Sequence, residues 1–330
     1  MKYMRGIVIS LLFVLGFSLV FVFFTQKEDD KTILIRIGHD QPVVNERHIA
    51  LTHFKELVEE RSNGEIRVEI YPQGLLGNEA TLTESVSFDD LEMVATSSTN
   101  QYGSLISVFE LPYLFDSYEE AWATLDGEIG REVADTYLDN NLRVLAYFEN
   151  GFRQITSNRP IYSPEDLKGL KIRTPEFPMS IQVFNALGAN ATPMGFGELY
   201  TALQQGTVDA QENPVANAYT NKFQEVQDYL IMTNHQYIPV HLIISDEFFQ
   251  SLSKEHQEII QKSAQESAEF HRQLLREREQ QMIDELVADG MKVIEVDTEP
   301  FKEKVGPVYE WFARIHGQEI IDRILKVAKS

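Results

Sequence analysis

The chain has 330 residues, with 29 Lys and Arg against 51 Asp and Glu. Its formal charge of -22 and its lack of any local basic cluster argue against nucleic acid as a partner. With 43% hydrophobic and 24% charged residues it is a folded globular protein, long enough for two cores. The absence of Cys excludes disulfides, thiolate-held zinc, iron–sulfur clusters, thiol nucleophiles and a lipid-bearing Cys.

Residues 6–24, GIVISLLFVLGFSLVFVFF, are an uncharged apolar run that spans about 30 Å as a helix, the thickness of one bilayer core. Lys2 and Arg5 precede it, so the positive-inside bias places the N-terminus in the cytoplasm and the rest of the chain outside. A cleaved signal peptide needs small residues just after a shorter apolar region, and the pair Gly16 and Ser18 lies mid-run. The expectation is an uncleaved N-terminal transmembrane helix, with residues 1–31 as anchor and linker holding an extracytoplasmic protein at the cell membrane. Secretion or periplasmic release after cleavage is the alternative.

From Thr32 the pattern reads strand, helix, strand: TILIRIGH, then HIALTHFKELVEERS with helical spacing, an Asn63-Gly64 turn, and the alternating EIRVEIYP. Further strands are predicted at LEMVATSS, LRVLAYFE, LKIRTP, DYLIMTN and MKVIEVD, separated by helical stretches, which gives an α/β protein with mainly parallel sheets. Ser253 is the predicted cap of a helix running to Ala288, with Gly290 as its stop. A rod of about 54 Å exceeds the radius of a 150-residue domain, so it is expected to cross and link two domains; packing along one domain is the alternative.

Signatures of catalysis are missing. There is no GxSxG, GxxxxGK[ST], HExxH or GxGxxG, and the eight His are scattered, His48 and His53 lying five apart rather than the four that align metal ligands on a helix. No metal, no cofactor and no enzymatic activity are expected. Pairs of carboxylates remain open to a surface hydrolase, because 51 acids offer too many to select among.

The most informative stretches are NGFRQ at 150–154, PEDLKGLKIR at 164–173 and YTALQQGTVDAQEN at 200–213, joined by ELPYLF at 110–115, KFQEVQDYL at 222–230 and TNH at 233–235. In this order they closely resemble the solute-binding proteins of tripartite ATP-independent periplasmic (TRAP) transporters, of the dicarboxylate-binding DctP type, from about Ile35 to Lys326. The resemblance implies a two-lobed, periplasmic-binding-protein-like fold of class II type. Each lobe is a β-sheet flanked by helices, and crossing strands and the long helix link the two. Lobe I would comprise 32–150 plus 239–278, and lobe II 151–238 plus 279–330. It implies a receptor that passes a small organic acid, a C4-dicarboxylate or a sugar acid, to small and large TRAP membrane subunits. A sensor accessory reporting to a membrane kinase or carrier is the second reading.

The family's ligand contacts carry over residue by residue. Arg173 in KIR would form the bidentate ion pair with the ligand carboxylate, a task suited to a planar fork that stays charged when buried. Arg153 would be a second cationic contact, Asn213 an amide contact and Phe196 a wall. On lobe I, His39 and Asp40 end the first strand and Ser97 stands at the end of the strand LEMVATSS, at loop positions where open α/β sheets bind ligands. Glu79, after Asn78, would bind hydroxyls rather than a carboxylate, which favours a polyhydroxy acid. His235 would lie either near the ligand or as a brace for the hinge. KIRTPE with ATPMGFGELYTALQQG is nearer to members that bind sugar acids than to strict succinate or malate binders.

Overall fold

β-Branched runs supply the strands of two sheets in the computed structural model, which describes residues 32–329. The predicted membrane helix at 6–24 lies outside these residues. No helix among the described residues is long and apolar enough to cross a membrane. The strands in chain order are β1 Ile33–Gly38, β2 Ile66–Tyr71, β3 Met93–Thr96, β4 Leu142–Phe148, β5 Arg153–Ser157, β6 Lys171–Thr174, β7 Asn190–Pro193, β8 Ala210–Pro214, β9 Tyr229–Met232, β10 Val240–Ser245 and β11 Lys292–Glu295. Sheet one has the order β2-β1-β3-β10-β4, and sheet two the order β11-β9-β5-β8-β6-β7. Strands β5, β7, β8 and β10 were not foreseen; β7 and β8 are short and mostly polar, so they carry no hydrophobic alternation to read.

The sheets are mixed rather than simply parallel. β10 runs against β3 and β4, and β5 runs against β8 and β9. The reversals have a common cause. β4 ends toward the space between the sheets, residues 149–152 cross it, and β5 enters the second sheet from that side; β9 returns through residues 233–239 to β10 in the same way. A strand entering from the cleft must run away from it, opposite to neighbours whose C-terminal ends face it. The two crossing segments are stitched together by a Phe152–Tyr237 bridge, by Arg153 N donating to Gln236 O at 2.9 Å and by Asn150 Nδ2 donating to Ile238 O at 3.0 Å.

The first βαβ unit forms as expected, with β1 and β2 paired in parallel from Ile33–Ile66 to Gly38–Tyr71. Its helix starts earlier than the hydrophobic spacing indicates, at Glu46, because Asn45 caps it. Ala50, Leu51, Phe54 and Val58 of that helix bury against Ile35, Ile37, Val68 and Met93. Each such side chain contributes about 1.5–3 kcal/mol by leaving water.

Ser253 caps the long helix, its hydroxyl accepting from His256 N at 3.1 Å, and the helix continues from Lys254 to Ala288. Its first half places Ile260, Ala264 and Ala268 in the core of the first sheet. Its second half packs Leu275, Met282 and Leu286 against Leu230 of the second and Val215 of the helix that follows β8. The rod therefore bridges both halves of the molecule.

Candidate functional site

The parallel strands deliver their C-terminal ends to one cleft between the sheets, with a cavity of about 240 Å³, on the scale of a small metabolite. Seven of the nine residues expected at a site line it: Arg173, Arg153, Asn213 and Phe196 from the second lobe, and Asp40, Glu79 and Ser97 from the first.

Arg173 lies one residue before the end of strand β6, paired with Thr192 on one side and Gln211 on the other. Its side chain is 2% exposed. Nε and Nη2 both donate to the Met194 carbonyl, at 3.0 and 2.7 Å, and the guanidinium lies 5.8 Å from the centre of the Phe196 ring. It makes no ion pair with an Asp or Glu among the described residues. Burial lowers its pKa to about 10, Glu212 opposing the shift and Arg153 adding to it, so the group is a cation at neutral pH. A desolvated cation without an ion-pair partner, lining a cavity, has the chemistry to hold an anion.

Arg153, equally buried, is in the opposite condition. Its Nε and Nη2 grip the Glu212 carboxylate, Nη2 also reaches Glu212 O at 2.8 Å and Asn213 Oδ1 at 3.4 Å, and His235 Nε2 lies 3.2 Å from the same carboxylate. Burial alone would raise the Glu212 pKa; the Arg153 charge and the His235 contact outweigh it and hold the carboxyl below its usual range. Burial likewise lowers the His235 pKa and keeps that imidazole neutral. His235 is fully enclosed between Thr233, Glu212 and the Phe184 ring and does not line the cavity, so it braces the crossing segment.

On the first lobe the central group is Arg47, which the sequence reading did not select. It is 3% exposed, and its Nη1 donates to both Asp40 Oδ1 at 3.0 Å and Glu79 Oε1 at 2.7 Å. Ser97 N donates to Glu79 Oε2 at 3.1 Å, and Asn78 caps the helix Glu79–Ser87 while also lining the cleft. Burial, with Asp40 adding and Arg47 opposing, pushes the Glu79 carboxyl up to about 7. His39 does not reach the cavity: it is fully buried behind Asp40, accepts from Gln41 N at 3.2 Å on Nδ1 and meets His48 at 3.0 Å through Nε2. Burial and the neighbouring Arg47 lower its pKa to about 2.

Asn150 and Asn217 also line the cleft without having been foreseen. The signal for Arg47 was present: Asn45 followed by Glu46 is a helix start, and a residue two positions past a cap at the C-terminal end of β1 faces the cleft. Among the described residues no group of His, Asp and Glu is arranged to hold a metal ion.

Residues 37–315 match the family model described as bacterial extracellular solute-binding protein, family 7. The 2,3-diketo-L-gulonate-binding periplasmic protein YiaO of Escherichia coli (strain K12) is 37% identical over 276 residues, 82% of this chain and 84% of that protein. The TRAP periplasmic solute-binding protein of Polaromonas sp. JS666 bound to D-erythronate superposes with a TM-score of 0.86 at 35% identity, covering 89% of this chain and 98% of that one. The sugar acid binding protein of Advenella mimigardefordensis strain DPN7T, in complex with galactonate, gives a TM-score of 0.86 at 35% identity over 90% and 97% of the two chains. These relatives are solute-binding proteins, not enzymes. With its matched span, its two-sheet fold and its interlobe cleft, this chain belongs to the DctP family of TRAP transporter solute-binding proteins.

Proposed function

We propose that this receptor captures a monocarboxylic sugar acid, with the carboxylate on Arg173 and the hydroxyls on the Asp40, Glu79, Arg47 and Asn150 wall. The observation that carries the reading is Arg173, a buried guanidinium with no acid partner facing a metabolite-sized cavity. The opposite wall argues against a second carboxylate, because Asp40 and Glu79 already share one Arg47 nitrogen and would repel another anion. Polyols suit that wall: ionised carboxylates accept from hydroxyls, and a protonated Glu79 donates to them. The ligands of the relatives, diketogulonate, erythronate and galactonate, fit the same pattern.

The test is calorimetric titration of the full-length chain, in mild detergent, with D-erythronate, galactonate, 2,3-diketo-L-gulonate, succinate and malate. Binding of a sugar acid that Arg173→Ala removes supports the reading. Preference for succinate or malate overturns it.

We infer delivery to small and large TRAP membrane subunits, a reading that family membership supports, and the apolar run 6–24 fits an anchor that keeps the receptor beside them. Ligand uptake in proteoliposomes holding those subunits, dependent on this protein, checks delivery. Recovery of the chain from spent medium without residues 1–25 would refute the anchor.

A further inference from the structure

Three consecutive residues at the start of the first helix have three different tasks. Arg47 turns into the cleft. Glu46, 1% exposed at its side chain, faces Arg278 of the long helix at 2.9 Å. Asn45 both caps and reaches across: its Oδ1 accepts from Arg47 N at 2.9 Å, while its Nδ2 donates to Asn217 Oδ1 at 3.2 Å and to Thr220 Oγ1 at 3.0 Å. Asn217 and Thr220 lie on the helix Val215–Thr220, directly after β8 of the second sheet. Asn217 Nδ2 donates onward to Asn213 Oδ1 at 3.4 Å, the atom that Arg153 Nη2 also reaches at 3.4 Å. A line of amides thus runs from a helix cap in one lobe to the ligand wall of the other.

The residue type is informative. Ser and Asp cap a helix as well as Asn does. Only an amide offers an acceptor oxygen for the cap and a separate NH₂ group for a second partner. Asn45 and Asn217 are 3% and 5% exposed, so parting the lobes would exchange their mutual bond for bonds to water.

We infer that Asn45 and Asn217 form a closing latch, a direct hydrogen bond between lobes that sets the fraction of closed molecules and the ligand's residence time without choosing the ligand. Apparent affinity scales with the closed fraction, so the latch raises the affinity for every accepted ligand by a common factor.

The experiment compares the full-length chain with Asn45→Ser, which keeps a cap but loses the reaching donor, and with Asn217→Ala. The chain has no Cys, so spin labels at Phe88→Cys and Tyr162→Cys, both exposed and on opposite lobes, report the interlobe distance without background labelling. Without ligand, both variants should shift the distribution toward longer distances, and the double variant should shift it no further than Asn45→Ser alone, which also loses the Thr220 contact. Identical distributions in wild type and variants overturn the latch. A second arm rests on the sugar-acid reading and uses galactonate as probe. Dissociation should quicken by about three- to tenfold in each variant, with the order of preference among sugar acids unchanged. A changed order would make Asn217 a ligand-selecting residue and refute the latch. If wild type binds no sugar acid, that reading fails, and the ligand-free distances still decide the latch.

Discussion

The two walls of the cleft both bury arginine, but they use it differently. On the first lobe Arg47 is shared between Asp40 and Glu79, and on the second Arg153 is held by Glu212 with His235 behind it. Arg173 alone of these three has only a backbone carbonyl and an aromatic face as partners. Burial by itself therefore does not mark an anion site; the number of acids already spoken for does. On the proposed reading the contrast also orients the ligand, with its charged end on the second lobe and its hydroxylated end on the first.

The severest way to break this contrast is to remove the closed partner. Glu212→Ala leaves Arg153 buried without a counterion and should cost about 3–5 kcal/mol of stability in urea unfolding of the ligand-free protein. A variant as stable as wild type would show that the pair does not hold the wall. Arg173→Ala should behave in the opposite way, weakening galactonate binding about 100-fold or more while leaving the empty protein as stable or more so, because an unpaired desolvated cation is lost. Titration and melting of the same samples check both halves. Arg173→Lys should rescue little, since an ammonium lacks the planar fork.

Acidity tests the first wall more gently. Glu79 and Glu110 are both pushed up to about 7, by burial first, from an ordinary value of 4.5. Between those values each of these two carboxyls binds more protons in the folded protein than in the unfolded chain, so its share of the stability falls as pH rises from about 4.5 to 7 and levels off above. Acidifying from about pH 8 to 5 should add ~2 kcal/mol for each of these carboxyls. Against this stands the loss from buried His39, His241 and His271, whose pKa values burial lowers to about 2, 4 and 3, so the carboxyl share is read as the difference between wild type and the Glu→Gln variants. Glu212 works the other way below that range, its depressed pKa making stability fall as it protonates. Denaturant melts across pH check the slope. Glu110→Gln, which replaces a carboxyl whose Oε2 has no hydrogen-bond partner, should flatten part of it. The smallest effect is the most specific. Glu79→Gln should weaken sugar-acid binding about tenfold and lessen the discrimination against malate, as competition titrations would read.

Much of this was legible in the residues. KIR, NGFR and QEN bring Arg173, Arg153 and Asn213 to the cleft, as the resemblance implied, each at or beside a strand end in the second sheet; of those strands only β6 was legible in the local pattern. What sequence could not convey is pairing. Glu212 neighbours Asn213 in the chain, yet its role is fixed by Arg153, 59 residues away. Arg47 is one of many basic residues until Asp40 and Glu79 are brought to it by different strands and loops. The mixed direction of the sheets escaped for a similar reason: β5 and β10 owe their direction to the lobe they come from, not to their own composition.

The rod from Lys254 to Ala288 contains neither Gly nor Pro and is fixed by packing to both lobes. Two crossing strands alone would act as a free pivot. With the rod in place, rotation about that pivot must flex a continuous helix or slide one of its halves over the surface beneath. Swinging the lobes apart therefore meets a restoring torque that grows with the angle, and the molecule behaves as an elastic clip whose travel is limited by its own backbone.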